Sequence, residues 1–245
     1  MNVKERIDKL LLERGLVKSR QQAQALILQG AVLVDEERID KPGTRVSCSA
    51  TIRLKHSPLP YVSRAGLKLE SALDAFVPSV EAFVCLDIGA STGGFTDCLL
   101  QRGASKVFAV DVGHNQLDWK LRVDPRVVCL EGLNARYLKF EQIGVQVDLI
   151  TLDLSFISLT LVLPVLYPFL KPDSRIICLV KPQFEVGREQ VEKGGLVTDP
   201  QKHEQVIEKI SRAADVAGYR VLGVIDSPIL GAEGNKEFLM GLQIK

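Results

Sequence analysis

The stretch Val84 to Phe95, VCLDIGASTGGF, most limits what this chain can become. It reads as a buried strand running into a turn of Gly89, Ser91, Gly93 and Gly94, with a helical pattern over Gly94–Arg102 behind it. Strand, glycine turn and helix N-terminus in that order present backbone N–H groups to a ligand at the edge of an α/β sheet. Small residues are needed where the chain turns tightly and a ligand lies against its backbone. The dinucleotide fingerprint is G-x-G-x-x-G. Here Gly89, Gly93 and Gly94 make G-x-x-x-G-G, with Ser91 in the second glycine's place. Beyond the turn, Asp111 ends a second apolar strand, Lys106–Val110. A carboxylate there can take both hydroxyls of an adenosine ribose.

From Val84 onward the pattern alternates. Strands are expected over Val84–Gly89, Lys106–Val112, Val127–Leu130, Val147–Leu152, Arg175–Val180 and Tyr219–Ile225, with helices that include Leu117–Val123, Leu159–Leu170 and Gln201–Ala217. Near-continuous apolar strands imply a sheet covered on both faces. A seventh strand, Lys236–Ile244, follows a loop too short for a helical crossover, so antiparallel pairing is expected. Ligands of such sheets sit beyond the carboxyl ends of the strands. The fourth strand ends in Asp153-Leu-Ser155 and the fifth in Lys181-Pro182; if they are neighbours, Asp153 and Lys181 lie about 5 Å apart. Glu237 stands at the start of the last strand, and the helix Leu67–Phe76 carries Lys68. Candidates for the ligand turn are Gly89, Ala90, Ser91, Gly93, Gly94 and Phe95, with Asp111 and Val112 on the second strand and Asp153 on the fourth. Asn134 is a candidate for adenine, and Asp87 either orients the turn or touches ligand.

The 245 residues, 46% hydrophobic and 25% charged, suit one or two globular domains. The net charge of +1 is unevenly spread: residues 1–56 carry 11 Lys and Arg against seven acids, the remainder 20 against 23. A basic segment on a weakly acidic body suggests a nucleic-acid-binding appendage. Two helices are expected there, Arg6–Glu13 ended by Gly15 and Arg20–Leu28 capped by Ser19, followed by short strands around Ala31–Val34 and Thr51–Lys55. Two prolines in Ser57-Pro-Leu-Pro60 make a stiff linker, so domains are expected over 1–56 and 64–245, joined by 57–63. Cys48, Cys85, Cys98, Cys129 and Cys178 form no C-x-x-C pair, lie mostly in apolar patterns, and read as buried free thiols of a cytoplasmic protein without a metal site. The opening MNVKERIDKLLLERG has alternating charges and no apolar run, unlike a signal peptide. The longest uncharged run, Leu154–Leu170, holds two prolines and is shorter than the roughly 20 residues of a membrane span. It is expected to be a buried helix, with no membrane partner. Nothing in the pattern speaks to oligomeric state.

Several motifs resemble known families. Asp87-x-Gly89-x-Ser91-x-Gly93 is similar to the first motif of S-adenosylmethionine-dependent methyltransferases. Arg6-Ile-Asp8, Ser19-Arg20, Ala23, Gly30, Val32-x-Val34 and Lys41-Pro42 resemble the RNA-binding module named after ribosomal protein S4. That resemblance makes Lys4, Arg6, Lys18, Arg20 and Arg45, with Arg64 beyond the linker, candidates for RNA contact. Such modules read RNA mainly through shape and phosphates. Lys68, Asp153, Lys181 and Glu237 resemble the Lys-Asp-Lys-Glu set of ribose 2′-O-methyltransferases. A fuller match, over nearly the whole chain, is to the TlyA family of ribosomal RNA methyltransferases, also called hemolysin A-like proteins. It is carried by Ser63-Arg64, Leu86 to Phe95, Asp111-Val-Gly113, Asp124-Pro-Arg126, Asn134-Ala-Arg136, Asp153 to Ser158, Val180 to Gly187 and Gly234-Asn-x-Glu237.

The resemblance implies a small α+β S4-like domain followed by an FtsJ-like domain. The latter is a Rossmann-like class I methyltransferase fold with a seven-stranded, mostly parallel sheet and an antiparallel last strand. It implies S-adenosylmethionine as cofactor, ribosomal subunits as partners, and transfer to the ribose 2′-hydroxyl of cytidine in 23S and sometimes 16S RNA. The chemistry suits the residue types. A 2′-hydroxyl attacks only if oxygen, methyl and sulfur are held in line and one proton is shared or removed. Lys181 is the candidate for the 2′-oxygen, as hydrogen-bond partner or as base; the second role needs a neutral amine, and a free lysine is protonated at pH 7. Three rival readings remain: a non-enzymatic RNA-binding protein, a membrane-lytic protein as the family's other name suggests, and a pseudouridine synthase, which shares the N-terminal module. The loop Phe184–Thr198 is either a lid or an ordinary exposed loop.

Overall fold

A computed structural model of the chain describes residues 3–55 and 59–245, which divide after Pro60 into two units. In the first, β1 (Lys4–Arg6) leads straight into α1 (Ile7–Glu13), and Gly15 turns the chain towards α2 (Arg20–Leu28). Ser19 Oγ accepts from the Gln22 amide at 3.1 Å and caps α2. β2 (Val32–Val34) is the middle of an antiparallel sheet between β3 (Glu37–Ile39) and β5 (Ile52–Leu54). β4 (Arg45–Ser47) pairs with β1, Arg6 facing Arg45. Neither β1 nor β4 is foreseen from sequence, because a three-residue charged strand has no apolar period to read. Ile7, Leu11, Ala23, Ile27 and Val32 are fully buried at the centre of this unit.

The second unit begins with α3 (Ala65–Phe76) and then alternates: β6 (Val84–Ile88), α4 (Gly94–Gln101), β7 (Lys106–Asp111), α5 (Trp119–Arg122), β8 (Val127–Glu131), α6 (Phe140–Ile143), β9 (Val147–Leu152) and α7 (Leu159–Val162). β10 (Leu170–Val180), α8 (Pro182–Glu185), α9 (Pro200–Val216), β11 (Tyr219–Asp226) and β12 (Phe238–Ile244) complete it. The seven strands lie in the order β11-β12-β10-β9-β6-β7-β8. β6 to β10 pair in parallel, while β12 runs antiparallel to both β10 and β11.

Alternate side chains feed two cores. Leu86, Ile88, Ile150, Leu152, Ile176 and Cys178 pack towards α7 and α9. Cys85, Leu149, Ile177 and Leu179 pack towards α3 and α4. The expected helix Leu159–Leu170 is interrupted: after α7 come separate tight turns, Leu163–Val165 and Tyr167–Phe169. Pro164 and Pro168 lack the N–H donors that would continue the helix. The run is buried on one side only: Val162, Leu163 and Leu166 are inaccessible, while Leu161 and Tyr167 are exposed. The linker expected at 57–63 lies partly outside the described residues. Its last part belongs to the second unit, because the Val62 amide donates to Asp97 at 2.8 Å and Tyr61 donates to Glu70 at 2.9 Å.

Candidate active site

The turn after β6 is shaped by hydrogen bonds and by bare glycine. The amides of Gly89 and Ala90 both donate to the Val110 carbonyl, and the Gly93 amide donates to Ala90 O at 2.7 Å. Gly89 has φ +86°, and a Cβ there would collide with the backbone carbonyl of Asp153. Only glycine lets the β6 turn touch the end of β9 this closely. Asp87 stands behind the turn with no exposure, accepting from Thr96 at 2.7 Å and Thr151 at 2.8 Å. Burial raises its carboxyl to about 6 against the lowering effect of both threonines. Of the two roles weighed for Asp87, the structure places it to brace the turn, away from the cavity lining. Gly94 and Phe95 line a small recess with Ala90 and Ser63.

In front of the turn opens a cavity of about 690 Å³, bounded by Gly89, Ser91, Asp111, Val112, Asn134 and Asp153. That volume is within the usual range for small-molecule sites. Asp111 is held by two amides: Ser91 N donates to Oδ2 at 2.8 Å and Gly113 N to Oδ1 at 2.7 Å. Each carboxylate oxygen keeps a second acceptor site, so a vicinal diol can still bind. Asn134 Oδ1 accepts from the Arg136 amide at 3.0 Å, which leaves its NH₂ donors for a ligand.

The four charged residues form two pairs, and of the four Asp153 lines this cavity. Lys181 Nζ stands 2.6 Å from Asp153 Oδ1 and donates to Ser155 Oγ at 3.0 Å. Asp153 Oδ1 is buried without a hydrogen-bond partner among the described residues. The ion pair is therefore close but poorly aligned, and that oxygen stays open to a donor. Lys68 Nζ donates to Glu237 Oε2 at 2.5 Å, with both side chains nearly inaccessible. Val180 faces Phe238 across the β10–β12 ladder, so the next positions, Lys181 and Glu237, end the same rung and bring the two pairs together. Phe156, which the sequence reading passed over, is 91% exposed on the cavity wall with φ +64°. Its ring lies 4.9 Å from that of Phe184. The loop 187–198 is tied down: Asn235 accepts from the Val197 amide at 3.0 Å and donates to Gly195 O at 2.9 Å.

Cys85, Cys98 and Cys178 are buried, and burial raises their thiols, Cys98 to about 12, so none is a poised nucleophile. Cys48 is exposed and Cys129 half-buried, so the expected burial holds for three of the five cysteines. Among the described residues no cluster could hold a metal ion, and no helix is long and apolar enough to cross a membrane. In the first unit, Asp8 gathers the cations: Arg6 donates to both its oxygens at 3.0 Å, Arg20 to Oδ2 at 2.9 Å. These hydrogen bonds, Arg6's foremost, hold the Asp8 carboxyl well below the usual range. Lys4, Lys18 and Arg45 are exposed on the same unit, and Arg64 is exposed at the start of α3.

A parallel sheet with an antiparallel β12 inserted next to β10, and a glycine turn facing an acid-ended strand, define a Rossmann-like methyltransferase fold. The chain belongs to the FtsJ-like methyltransferase family, whose model matches residues 61–244; an S4 domain model matches residues 5–52. It is 49% identical over 239 residues to the 16S/23S rRNA (cytidine-2′-O)-methyltransferase TlyA of Mycobacterium tuberculosis, covering 97% of this chain and 89% of that protein. It is 43% identical over 236 residues to hemolysin A of Brachyspira hyodysenteriae, covering 96% and 98%. A solved structure from Streptococcus thermophilus, also carrying a hemolysin name, superposes with a TM-score of 0.77 at 46% identity, over 100% of this chain and 90% of that one.

Proposed function

We propose that this chain transfers a methyl group from S-adenosylmethionine to the ribose 2′-hydroxyl of a cytidine in ribosomal RNA, acting in the cytoplasm on ribosomal subunits. The observation that carries the reading is the pairing of Asp153, which lines the cavity, with Lys181, together with the buried pairing of Lys68 on α3 with Glu237. The residues fit the cofactor: the turn at Gly89 leaves bare backbone, Asp111 offers two acceptors to a ribose, and Asn134 offers donors to adenine. When bound, S-adenosylmethionine supplies a methyl group already activated on sulfonium. The remaining work falls to the protein. Lys181, fixed by Asp153 and Ser155, orients the 2′-oxygen and takes or shares its proton. Glu237 fixes Lys68 so that a second cation borders the same site. Phe156 turns a nearly fully exposed ring to the cavity mouth, a face on which a base can stack. The first unit contributes RNA affinity through Arg6, Arg20, Lys4, Lys18 and Arg45, and Arg64 adds a cation in the second. Contacts of this kind are to phosphate and weaken with salt.

The test is transfer of labelled methyl from S-adenosylmethionine to purified ribosomal subunits that lack the modification, with Lys181→Ala in parallel. Label on cytidine ribose in 23S RNA, with or without 16S, from wild type only is the expected result. Transfer by neither protein, with both binding subunits, would favour the RNA-binding reading instead. The hemolysin name of a relative is addressed by liposome leakage, expected to be absent.

A further inference from the structure

Two short segments leave the carboxyl ends of the neighbouring parallel strands β9 and β10 and run side by side, from Asp153 to Leu159 and from Lys181 to Glu185. Three ties join them. At the front is the Asp153–Lys181 ion pair. In the middle the rings of Phe156 and Phe184 meet. At the rear, Glu185 Oε2 accepts from Ser158 Oγ at 2.6 Å and Oε1 accepts from the Leu159 amide at 2.7 Å. The front tie faces the cavity; the rear one is buried, with the Glu185 side chain only 2% exposed. A carboxylate this deep costs free energy unless it is hydrogen-bonded, and both its oxygens serve the other segment. From outside, Lys209 on α9 donates to the Glu185 carbonyl at 2.5 Å and lies 3.5 Å from Oε2. The clamp is thus anchored to a long helix of the scaffold.

We propose that Glu185 is a positioning residue: its carboxylate locks the segment after β9 to the segment after β10 and so sets how Asp153 meets Lys181, a role that rests on the methyl-transfer reading above. Phe156 makes such a lock necessary. Its left-handed backbone is strained, a conformation that persists only where the surrounding structure holds it, and Glu185 supplies that hold at the far end. Asp153 and Lys181 each sit at the near end of a segment whose far end is held by Glu185. Loss of the rear tie therefore frees the front pair to take other separations, without removing any group that touches substrate. A misplacement of about 1 Å can cost a hundredfold in rate.

The experiment compares Glu185→Ala and Glu185→Gln with wild type in methyl transfer at saturating S-adenosylmethionine, together with amide hydrogen exchange at Leu159. Glutamine keeps an acceptor for the Leu159 amide; alanine keeps none. The expected result is a kcat at least tenfold lower for Glu185→Ala, with the KM for RNA within threefold of wild type. Glu185→Gln should recover kcat to within threefold, and Leu159 should exchange faster only in the alanine variant. A kcat for Glu185→Ala within twofold of wild type, or equal losses in both variants with Leu159 exchange unchanged, overturns the proposal. If Glu185→Ala does not fold, Ser158→Ala, which loses one of the two rear bonds, stands in for it, with at least a threefold loss of kcat required. Exchange does not depend on turnover. An inactive wild type would sink the reaction assignment, and the clamp would then stand or fall on Leu159 alone.

Discussion

Removing one member of the Lys68–Glu237 pair should cost more stability than removing both. The two side chains are 11% and 2% exposed and meet at 2.5 Å. Glu237→Leu leaves a buried ammonium facing no carboxylate, and Lys68→Met leaves a buried carboxylate facing no ammonium. Breaking a buried pair from one side costs about 3–5 kcal/mol, whereas replacing both charges with apolar side chains of similar volume is often neutral. For a domain of this size, each kcal/mol moves the melting temperature by about 2–4 °C. Each single variant should therefore melt about 6–20 °C below wild type, and the double variant within a few degrees of it. Scanning calorimetry on the three variants and wild type gives the coupling energy directly. On the proposed reading, in which both charges serve the reaction, methyl transfer should stay abolished in the double variant despite its restored stability. Single variants melting within 2 °C of wild type would refute the burial argument. An active double variant would refute the catalytic one and leave the pair as a structural device.

Gly89→Ala forces a residue with a Cβ into φ +86° and drives that atom against the Asp153 backbone. The strain alone is about 1–2 kcal/mol, and cofactor affinity measured by calorimetry should fall at least tenfold; unchanged affinity would sink the role given to the turn. Asp111→Ala removes the acceptors that hold Ser91 and Gly113. A cofactor at a hundred times its Kd stabilises wild type by about 2.7 kcal/mol, and that thermal shift should vanish in the variant. Asp87, raised to about 6 by burial, binds its proton more tightly folded than unfolded, so between pH 4 and 6 the folded chain carries more protons. Stability should then fall as pH rises through that window, by up to about 3 kcal/mol. Asp87→Asn should flatten this slope in urea titrations, and a variant with the wild-type slope would show that another group causes it.

The strands of the second unit could be read from the sequence because each is a run of apolar residues ended by glycine, proline or a charge. Their carboxyl ends were legible for the same reason, which is why Asp153 and Lys181 could be paired before any contact was known. Lys68 and Glu237 could be placed on their elements, but their pairing could not be read, since a charge on a helix and a charge at a strand start carry no mark of burial. Glu185 lies inside the family motif Val180 to Gly187, but that motif carries no sign of what its carboxylate holds. Its importance lies in bonds to Ser158 and Leu159, and nothing local to Pro182–Glu185 reveals them. Phe156 was hidden differently, inside an apolar run that reads as core but whose backbone turns its ring outward. In the first unit, the salt links that collect Arg6 and Arg20 on Asp8 join positions up to twelve residues apart, and cation counting could show only that charge was plentiful there.

The placement of β12 between β10 and β11 bears on how the chain acquires its activity. β11 is made before β12 and has no partner in the sheet until β12 slides in beside it. Glu237 arrives with that last strand and must find Lys68, 169 positions earlier. Contacts this distant in sequence close slowly. A growing chain can therefore possess a finished cofactor turn, and Asp153 beside Lys181, while still lacking the anion that fixes Lys68. The Lys68–Glu237 pair thus depends on the last strand of the sheet, and a chain that lacks β12 lacks that pair however complete its other strands are.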